Sequence, residues 1–413
     1  MPIGARLSTI YLTIPSHNVK NLNKHAIIDL IRFTSGGISR VELSRQMGLT
    51  RAAVSSIIND LQSSGLVREV GIHGNGGRKP IVLEINPELG CVVGVDMGAT
   101  HVTLILADFS ARQIQEMHMP LDIDLGPGVC LNQVDSYLRE LVGSAGLSLS
   151  DIKAIGVGVP GPIVAEAGMV SGPPIMPGWD GFPIRDSLKQ RWGCPVTLNN
   201  DAELGALGEW AYGAGRGERD LAYIKVGIGI GAGLLLDGQI YRGITGSAGE
   251  IGHVTIEENG PECQCGNKGC LEALAGGRAI SKRAIQAVHK GQRTLLTEIS
   301  PVQSITPQDV IAAARRGDLL SQQLVVEAGA HLGTAIASLV NLFNPSMVVI
   351  GGGVAQIGDL LLEPIRRTVQ QRSLRVASRA VRITAALLGR RSSGMGAVVQ
   401  ALSLVLHQHA EKE

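Results

Sequence analysis

Short helical stripes open the chain. In HAIIDLIRF (residues 25–33), Ile27, Ile28 and Ile31 share one helix face. SRVELSRQMG (39–48) starts with a capping box, Ser39 with Glu42 three residues on, and stops at Gly48. TRAAVSSIINDLQSSG (50–65) is capped by Thr50 and closed by Gly65. Its apolar stripe is Val54, Ile57, Ile58 and Leu61; Arg51, Ala52, Ser55, Ser56 and Asn59 fall on the other face. Two short helices joined by a tight turn match a helix-turn-helix, whose second helix would lay Arg51, Ser55, Ser56 and Asn59 against base edges. LVREVGIHGNGGRKPIVLEI (66–85) then predicts two strands around a glycine-rich tip, a wing that offers Arg78 and Lys79 to phosphates or the minor groove. A small helical protein-interaction domain is the alternative for this head.

After Pro87 the pattern changes to aliphatic strands. CVVGVDMGATHVTLILADF (91–109) reads as strand, tight turn, strand, and LAYIKVGIGIGAGLLLDGQIY (221–241) repeats the plan. Turns made of glycine and small residues expose backbone N–H groups that can cradle phosphate. Two copies predict a duplicated α/β fold with a cleft between two lobes. Asp96, Gly98 and Thr100 in the first turn and Gly229 and Gly231 in the second are the candidate nucleotide-loop residues. A third cluster, SMVVIGGGV (346–354), puts Gly352 after a strand, either to accept an adenine or to allow close packing. Between the two turns, PVTLNNDAELGALGEW (195–210) ends a strand and starts a helix at Asn199-Asn200-Asp201. A carboxylate there sits where α/β clefts bind ligands. Asp201 is then a general base, a hydrogen-bond acceptor for a polyol, or only a helix cap.

The apolar run from Leu332 to Val354 is broken by Asn341, Asn344 and Pro345, so it reads as buried helix, turn and strand. The N-terminal residues lack the apolar core of a signal peptide, and a cytoplasmic protein without membrane attachment is expected. Composition adds one asymmetry. Residues 1–80 hold ten Lys/Arg against four Asp/Glu, whereas the whole chain of 413 residues is only +1. A basic head on an acidic body implies a polyanionic partner, double-stranded DNA, for the head.

Three of the six cysteines crowd into HVTIEENGPECQCGNKGCLEA (253–273). In a reducing compartment, clustered thiolates bind metal rather than form disulfides. His253, Cys263, Cys265 and Cys270 make a Cys3His set suited to structural zinc, and Gly266 and Gly269 let the chain wrap tightly. Redox-active or buried thiols without metal are the alternative. Cys91, Cys130 and Cys194 are scattered and read as core residues.

GVDMGAT, GVPGP, NNDAELGALGE, GIGIGAG, GSAGEIGH, CQCGNKGCLE and IGGGV occur in one order along nearly the whole chain. In that order the sequence resembles the ROK family, which joins sugar-responsive bacterial repressors and sugar kinases on an actin-like ATPase fold. The resemblance implies an N-terminal winged helix-turn-helix followed by a two-lobed, kinase-like α/β body. It implies that Asn200, Asp201, Glu250, His253 and Glu272 hold a sugar, Asp201 being the base in the kinases, and that His253, Cys263, Cys265 and Cys270 hold zinc. The helix-turn-helix head is a feature of the family's repressors, such as those answering to xylose or N-acetylglucosamine. Ile228 stands where the kinases have a phosphate-loop Thr, His101 where they often have Lys, and Ile175 where they have a sugar-binding Asn before PGW. These departures argue against ATP and Mg2+ as cofactors and against the kinases' usual hexose pose.

The expected organisation is an arm (1–22), a winged helix-turn-helix (23–87), a first lobe (91–200, completed by a C-terminal helix at about 385–410) and a second lobe with the zinc site (201–384). The expected function is a sugar-responsive transcriptional regulator acting on a DNA operator as a homodimer or tetramer. An ATP-dependent sugar kinase carrying a DNA-binding head is the alternative, because Asp201 and the turn glycines remain.

Overall fold

The structure is a computed structural model and describes residues 19–71, 81–173 and 175–411. It begins with helices α1 (Val19–Phe33), α2 (Arg40–Met47) and α3 (Arg51–Ser63), followed by the antiparallel strands β1 (Val67–Gly71) and β2 (Ile81–Ile85). The capping box forms as written: Ser39 and Glu42 cap each other's backbone amides, and Gly48 ends α2 in the left-handed region at φ 66°. Thr50 caps α3 through the Ala53 amide. Helix α1 starts earlier than the arm boundary allowed, so residues 19–22 are its first turn. Its inward face begins at Lys24 and His25, and their amides need carbonyl partners one turn earlier. The wing tip with Arg78 and Lys79 lies outside the described residues.

The body is a plan built twice. In the first sheet, β3 (Cys91–Met97), β4 (His101–Asp108), β5 (Gln113–Pro120), β6 (Ile152–Val159) and β9 (Val196–Asn200) run in the order β5-β4-β3-β6-β9. The second sheet, β10 (Leu221–Val226), β11 (Ile230–Leu236), β12 (Gln239–Ile240), β13 (Met347–Gly351) and β14 (Arg382–Ala385), runs β12-β11-β10-β13-β14. In both, a central strand pairs antiparallel with the next strand and parallel with a later one. The parallel crossovers require intervening helices. In the first half these are α4 (Gly126–Ser144) and α5 (Ile184–Trp192), the latter preceded by the short hairpin β7 (Ile163–Val164) and β8 (Met169–Val170). Helix α6 (Asp201–Tyr212) starts where β9 stops. The second half carries α7 (Leu271–Ala275), α8 (Gly277–His289), α9 (Leu296–Ile299), α10 (Pro307–Arg315), α11 (Leu319–Phe343), α12 (Asp359–Arg372) and α13 (Arg375–Ala380). Helix α11 is long and apolar enough to cross a membrane, but Leu324, Val325, Ala328, Leu332, Ile336 and Val340 on it are buried in the second half's core.

The last helix, α14 (Ser392–Glu411), ties the parts together. It lies so close to the first sheet that a Cβ on Gly94 or Gly156 would fall 2.1 Å from the carbonyl oxygens of Gly394 and Ala397. Its start is anchored by the buried Glu209 of α6, which accepts from the Ser392 hydroxyl and the Leu387 and Leu388 amides. Its far end carries the head. Arg32 of α1 donates to the Ser403 hydroxyl (2.8 Å) and the Val399 carbonyl (3.1 Å), and the rings of His25 and His407 stack at 4.2 Å. Ile27, Ile31, Val54 and Leu61 share one apolar cluster with Met395, Leu402 and Leu406. The head therefore does not close a core of its own; it borrows one face from α14.

Candidate functional site

Strand ends and turns build the cleft. The β3–β4 turn and the β10–β11 turn face each other, and the β9–α6 junction lies between them. Gly98, Thr100, Asn200, Asp201, Gly229, Gly231, Glu250, His253 and Glu272 all line one open cleft. The structure thus gathers the residues read as sugar-binding with most of those read as nucleotide-loop remnants. Asp96 sits beneath the cleft floor, 3% exposed. Gly352 points elsewhere: at φ 88° its missing Cβ would meet the Val226 carbonyl oxygen at 2.4 Å, which is close packing against β10.

Asn200 is the cap of α6. Its Oδ1 accepts from the Ala202 and Glu203 amides at 2.8 and 3.1 Å, and its Nδ2 donates to the Gly161 carbonyl at 3.0 Å. Asp201, the first residue of the helix, is thereby released from capping, which removes the capping alternative for it. Its carboxylate takes a hydrogen bond from a residue the sequence reading passed over, Lys225, at 2.9 Å. The same ammonium reaches both oxygens of Asp96 at 3.3 Å and the Ser393 hydroxyl at 3.3 Å. Burial opposes the charge on Lys225, but Asp201 and Asp96 outweigh it and raise its pKa. Burial pushes the Asp96 carboxyl up to about 6, with Lys225 pulling the other way. A signal for Lys225 existed: it is the lone charge in the strand LAYIKV, at the place in the second repeat that Asp96 holds in the first.

The far wall is acidic. Glu272 accepts the Ile230 amide of the second turn at 2.8 Å, and a Cβ on Gly229 would collide with that carboxylate at 2.3 Å. Glu250 is pushed up to about 7 by burial and by the nearby charges of Asp201, Glu272 and Glu203. Its Oε2 lies 3.9 Å from His253 Nε2. Acceptors on opposite walls suit the hydroxyls of a polyol.

His253 belongs to the second cluster as well. Its Nδ1 is 3.6 Å from Cys263 Sγ, Cys265 and Cys270 sulfurs are 3.8 Å apart, and all four ligand atoms lie within 4.8 Å of one another. Tetrahedral zinc with Zn–S near 2.3 Å sets sulfurs about 3.8 Å apart, so the donor set and its spacing fit that ion. The loop is shaped for it. Gly269, at φ 66°, abuts the Glu257 carbonyl so tightly that any Cβ would overlap it at 1.5 Å. Cys263 donates its amide to Asn267, and Gly266 returns one to Cys263. With Nδ1 turned to the thiols, His253 presents Nε2 toward Glu250. Cys270 leads directly into α7, whose second residue is Glu272. A metal held here would fix the two acidic residues of that far wall, Glu250 and Glu272, without entering the cleft.

On the head, Arg51, Ser56 and Asn59 are exposed along α3 and Ser55 is half-buried. Arg40 of α2, which the sequence reading did not single out, pins this surface. It donates to Asn59 Oδ1 (2.9 Å), Gln62 Oε1 (2.6 Å) and Glu69 Oε1 (3.0 Å), linking α2, α3 and β1.

A winged three-helix head joined to a duplicated α/β body with an acid-lined cleft defines a class of protein: a DNA-binding module carried on a sugar-kinase-like fold. Residues 92–403 match the ROK family model, and the chain belongs to that family. It is 34% identical to the xylose repressor of Caldicellulosiruptor bescii over 94% of this chain and 97% of that one. A crystal structure of a ROK family transcriptional regulator, a homologue of the Escherichia coli Mlc protein, superposes with a TM-score of 0.79 at 26% identity, covering 96% of this chain and all of the other. A ROK glucokinase from Streptomyces griseus, solved with glucose and AMPPNP, matches 76% of this chain and 99% of its own at 30% identity, with a TM-score of 0.67.

Proposed function

We propose that the protein is a sugar-responsive transcriptional regulator, a repressor of carbohydrate uptake or catabolism genes, whose kinase-like body senses a sugar. The head (23–87) binds double-stranded DNA, and the two lobes (91–200 with the helix at about 385–410, and 201–384) hold the effector between them. The observation that carries this reading is the course of α14. Ser393 at its start donates to the Asp201 carbonyl at 2.8 Å in the cleft, and Ser403 and His407 near its end contact Arg32 and Asp29 of the head. A sugar that closes the cleft shifts the helix on which the head is seated and so couples the two binding equilibria.

Asp201, Glu250, His253 and Glu272 contact the sugar, with Asn200 shaping the wall beside them. Zinc at His253, Cys263, Cys265 and Cys270 is structural, since a closed four-ligand shell leaves no position for a reacting water. Arg51, Ser55, Ser56, Asn59, Arg78 and Lys79 face DNA. The regulator works in the cytoplasm as a homodimer or tetramer, because paired heads read two half-sites. The relatives include both repressors and kinases. Whole-length similarity to a repressor, head included, favours the regulator over a kinase with a DNA-binding head.

The test is operator selection from a randomised duplex library, followed by titration of the selected site. Arg51→Ala is expected to weaken specific binding by about 1–3 kcal/mol if Arg51 reads a base. No selected sequence, or a selected site bound equally by a chain lacking the head, overturns the reading.

A further inference from the structure

The two repeats differ at one decisive place. Counted back from the first glycine of each turn, Gly98 and Gly227, the second residue is Asp96 in the first half and Lys225 in the second. Each sits opposite a glycine of the neighbouring parallel strand, Gly158 for Asp96 and Gly351 for Lys225. The duplication therefore aims an acid and a base at each other across the cleft floor. The Lys225 ammonium has three protons, and the structure gives it Asp201, Asp96 and Ser393 as acceptors at 2.9–3.3 Å. Its side chain is 17% exposed and those of Asp96 and Asp201 4% and 14%.

The glycine turn beside it is occupied in the complementary sense. The Ile230 amide, a donor of the kind that binds a phosphate oxygen, is already taken by the Glu272 carboxylate. A metal-bound phosphate needs a place for a divalent cation among carboxylates and unclaimed backbone donors. Here the protein's own ammonium fills the first, and its own carboxylate claims one of the second, the Ile230 amide. The remaining acidic side chains of the cleft are Asp201 and Glu272, beside the more weakly acidic Glu250, and His253 turns its Nδ1 to the thiol cluster. An anionic ligand meets repulsion on that wall, whereas an uncharged polyol finds acceptors.

We propose that Lys225 is a tethered cation that stands in for a metal ion between Asp96 and Asp201, and that it restricts the cleft to uncharged, unphosphorylated sugars. The proposal rests on the sugar-sensing reading only for its ligand; the cation replacement stands on the floor geometry alone. In this arrangement Lys225 is a specificity-determining and positioning residue. It holds one oxygen of Asp201, leaving the other for a sugar hydroxyl, and excludes a metal–nucleotide without blocking the cleft.

The experiment uses the full-length zinc-loaded protein in two arms. In the first, Mn2+ binding is followed by electron paramagnetic resonance in wild type, Lys225→Met, Lys225→Arg and the double variant Asp96→Asn/Lys225→Met, with melting curves as a folding check. Lys225→Met is expected to bind one additional Mn2+ at least tenfold more tightly than wild type. Lys225→Arg should bind none, and Asp96→Asn should abolish the gain. Equal Mn2+ binding by wild type and Lys225→Met overturns the cation replacement. The second arm needs no variant: wild type is titrated with pentoses, hexoses and N-acetyl hexosamines beside their phosphates. A phosphate ester bound as tightly as its parent sugar overturns the restriction, and it decides the matter if Lys225→Met does not fold. Wild type that binds no sugar in either form contradicts the sugar-sensing reading, while the Mn2+ arm still reports on Lys225.

Discussion

The two halves of the body share a strand order and diverge in chemistry. The first half puts Asp96 one residue before the end of its central strand, with Thr100 in the turn and His101 opening β4, all polar. The second puts Lys225 at the matching place and turns through Ile228 into β11 at Ile230, with Glu272 folded over the turn. The second half also carries the thiol cluster that braces Glu250 and Glu272. The difference teaches that one backbone plan serves two ends. Where polar groups are left open to the cleft, a half can grip a ligand. Where its own charges fill the donors and acceptors, a half becomes scaffold and filter.

Breaking the brace in the second half should have the largest effect. Cys265→Ser opens the four-ligand shell, and loss of a structural metal belongs to the class of changes that exceed about 4 kcal/mol. Bound zinc measured by elemental analysis, the melting temperature and sugar affinity should fall together, while the first sheet keeps its own core. A metal-free variant with unchanged melting contradicts this.

Next comes the residue that both halves share through Lys225. Asp201→Asn removes a charged acceptor, and hydrogen bonds to charged groups contribute about 1.5–3 kcal/mol. Calorimetry should register roughly a 10–100-fold loss of sugar affinity. The variant should remain folded, since Lys225 keeps Asp96 as its counter-ion. An unchanged affinity removes Asp201 from the ligand's contacts.

The seam between head and first half offers a smaller, pH-dependent effect. His25 is buried against His407, with Asp29, Lys24 and Glu411 around it, and burial lowers its pKa from 6.5 to about 4. A depressed folded-state value means that the unfolded chain takes up the proton first, so this contribution to stability is complete above about pH 6.5 and shrinks as pH falls toward 4. Unfolding free energies from denaturant titration should drop between pH 7 and 5 by about 1–2 kcal/mol more in wild type than in His25→Gln. Equal slopes in the two proteins contradict the assignment.

The smallest expected effect is also informative. Ile228→Thr restores a hydroxyl to the second turn, but Lys225 and Glu272 still occupy its charged positions. Sugar-dependent ADP release should stay at background; its appearance would make Ile228, rather than the filled floor, the barrier to phosphoryl transfer.

Much of this was legible in the sequence because local rules carry it. The caps at Ser39 and Thr50, the paired glycine turns, and the tight His253 to Cys270 spacing each encode their geometry within a few residues. The two-lobed repeat followed from the matching strand–turn–strand segments. What escaped was set by contacts distant along the chain. Lys225 acquires its meaning from Asp96 and Ser393, 129 and 168 residues away. Neither Asn200's capping role nor the union of head and body through α14 shows in a spacing. The start of α1 at Val19 was missed because the stripe that marks a helix begins only where it is buried.

The measurement that tests the central claim most directly is calorimetric titration of the full-length zinc-loaded protein with a sugar panel, with and without ATP and Mg2+, assaying ADP in each cell. The account predicts saturable binding of a free sugar, the same affinity in both conditions and no ADP. Sugar-dependent ADP, or sugar binding that requires the nucleotide, would contradict it.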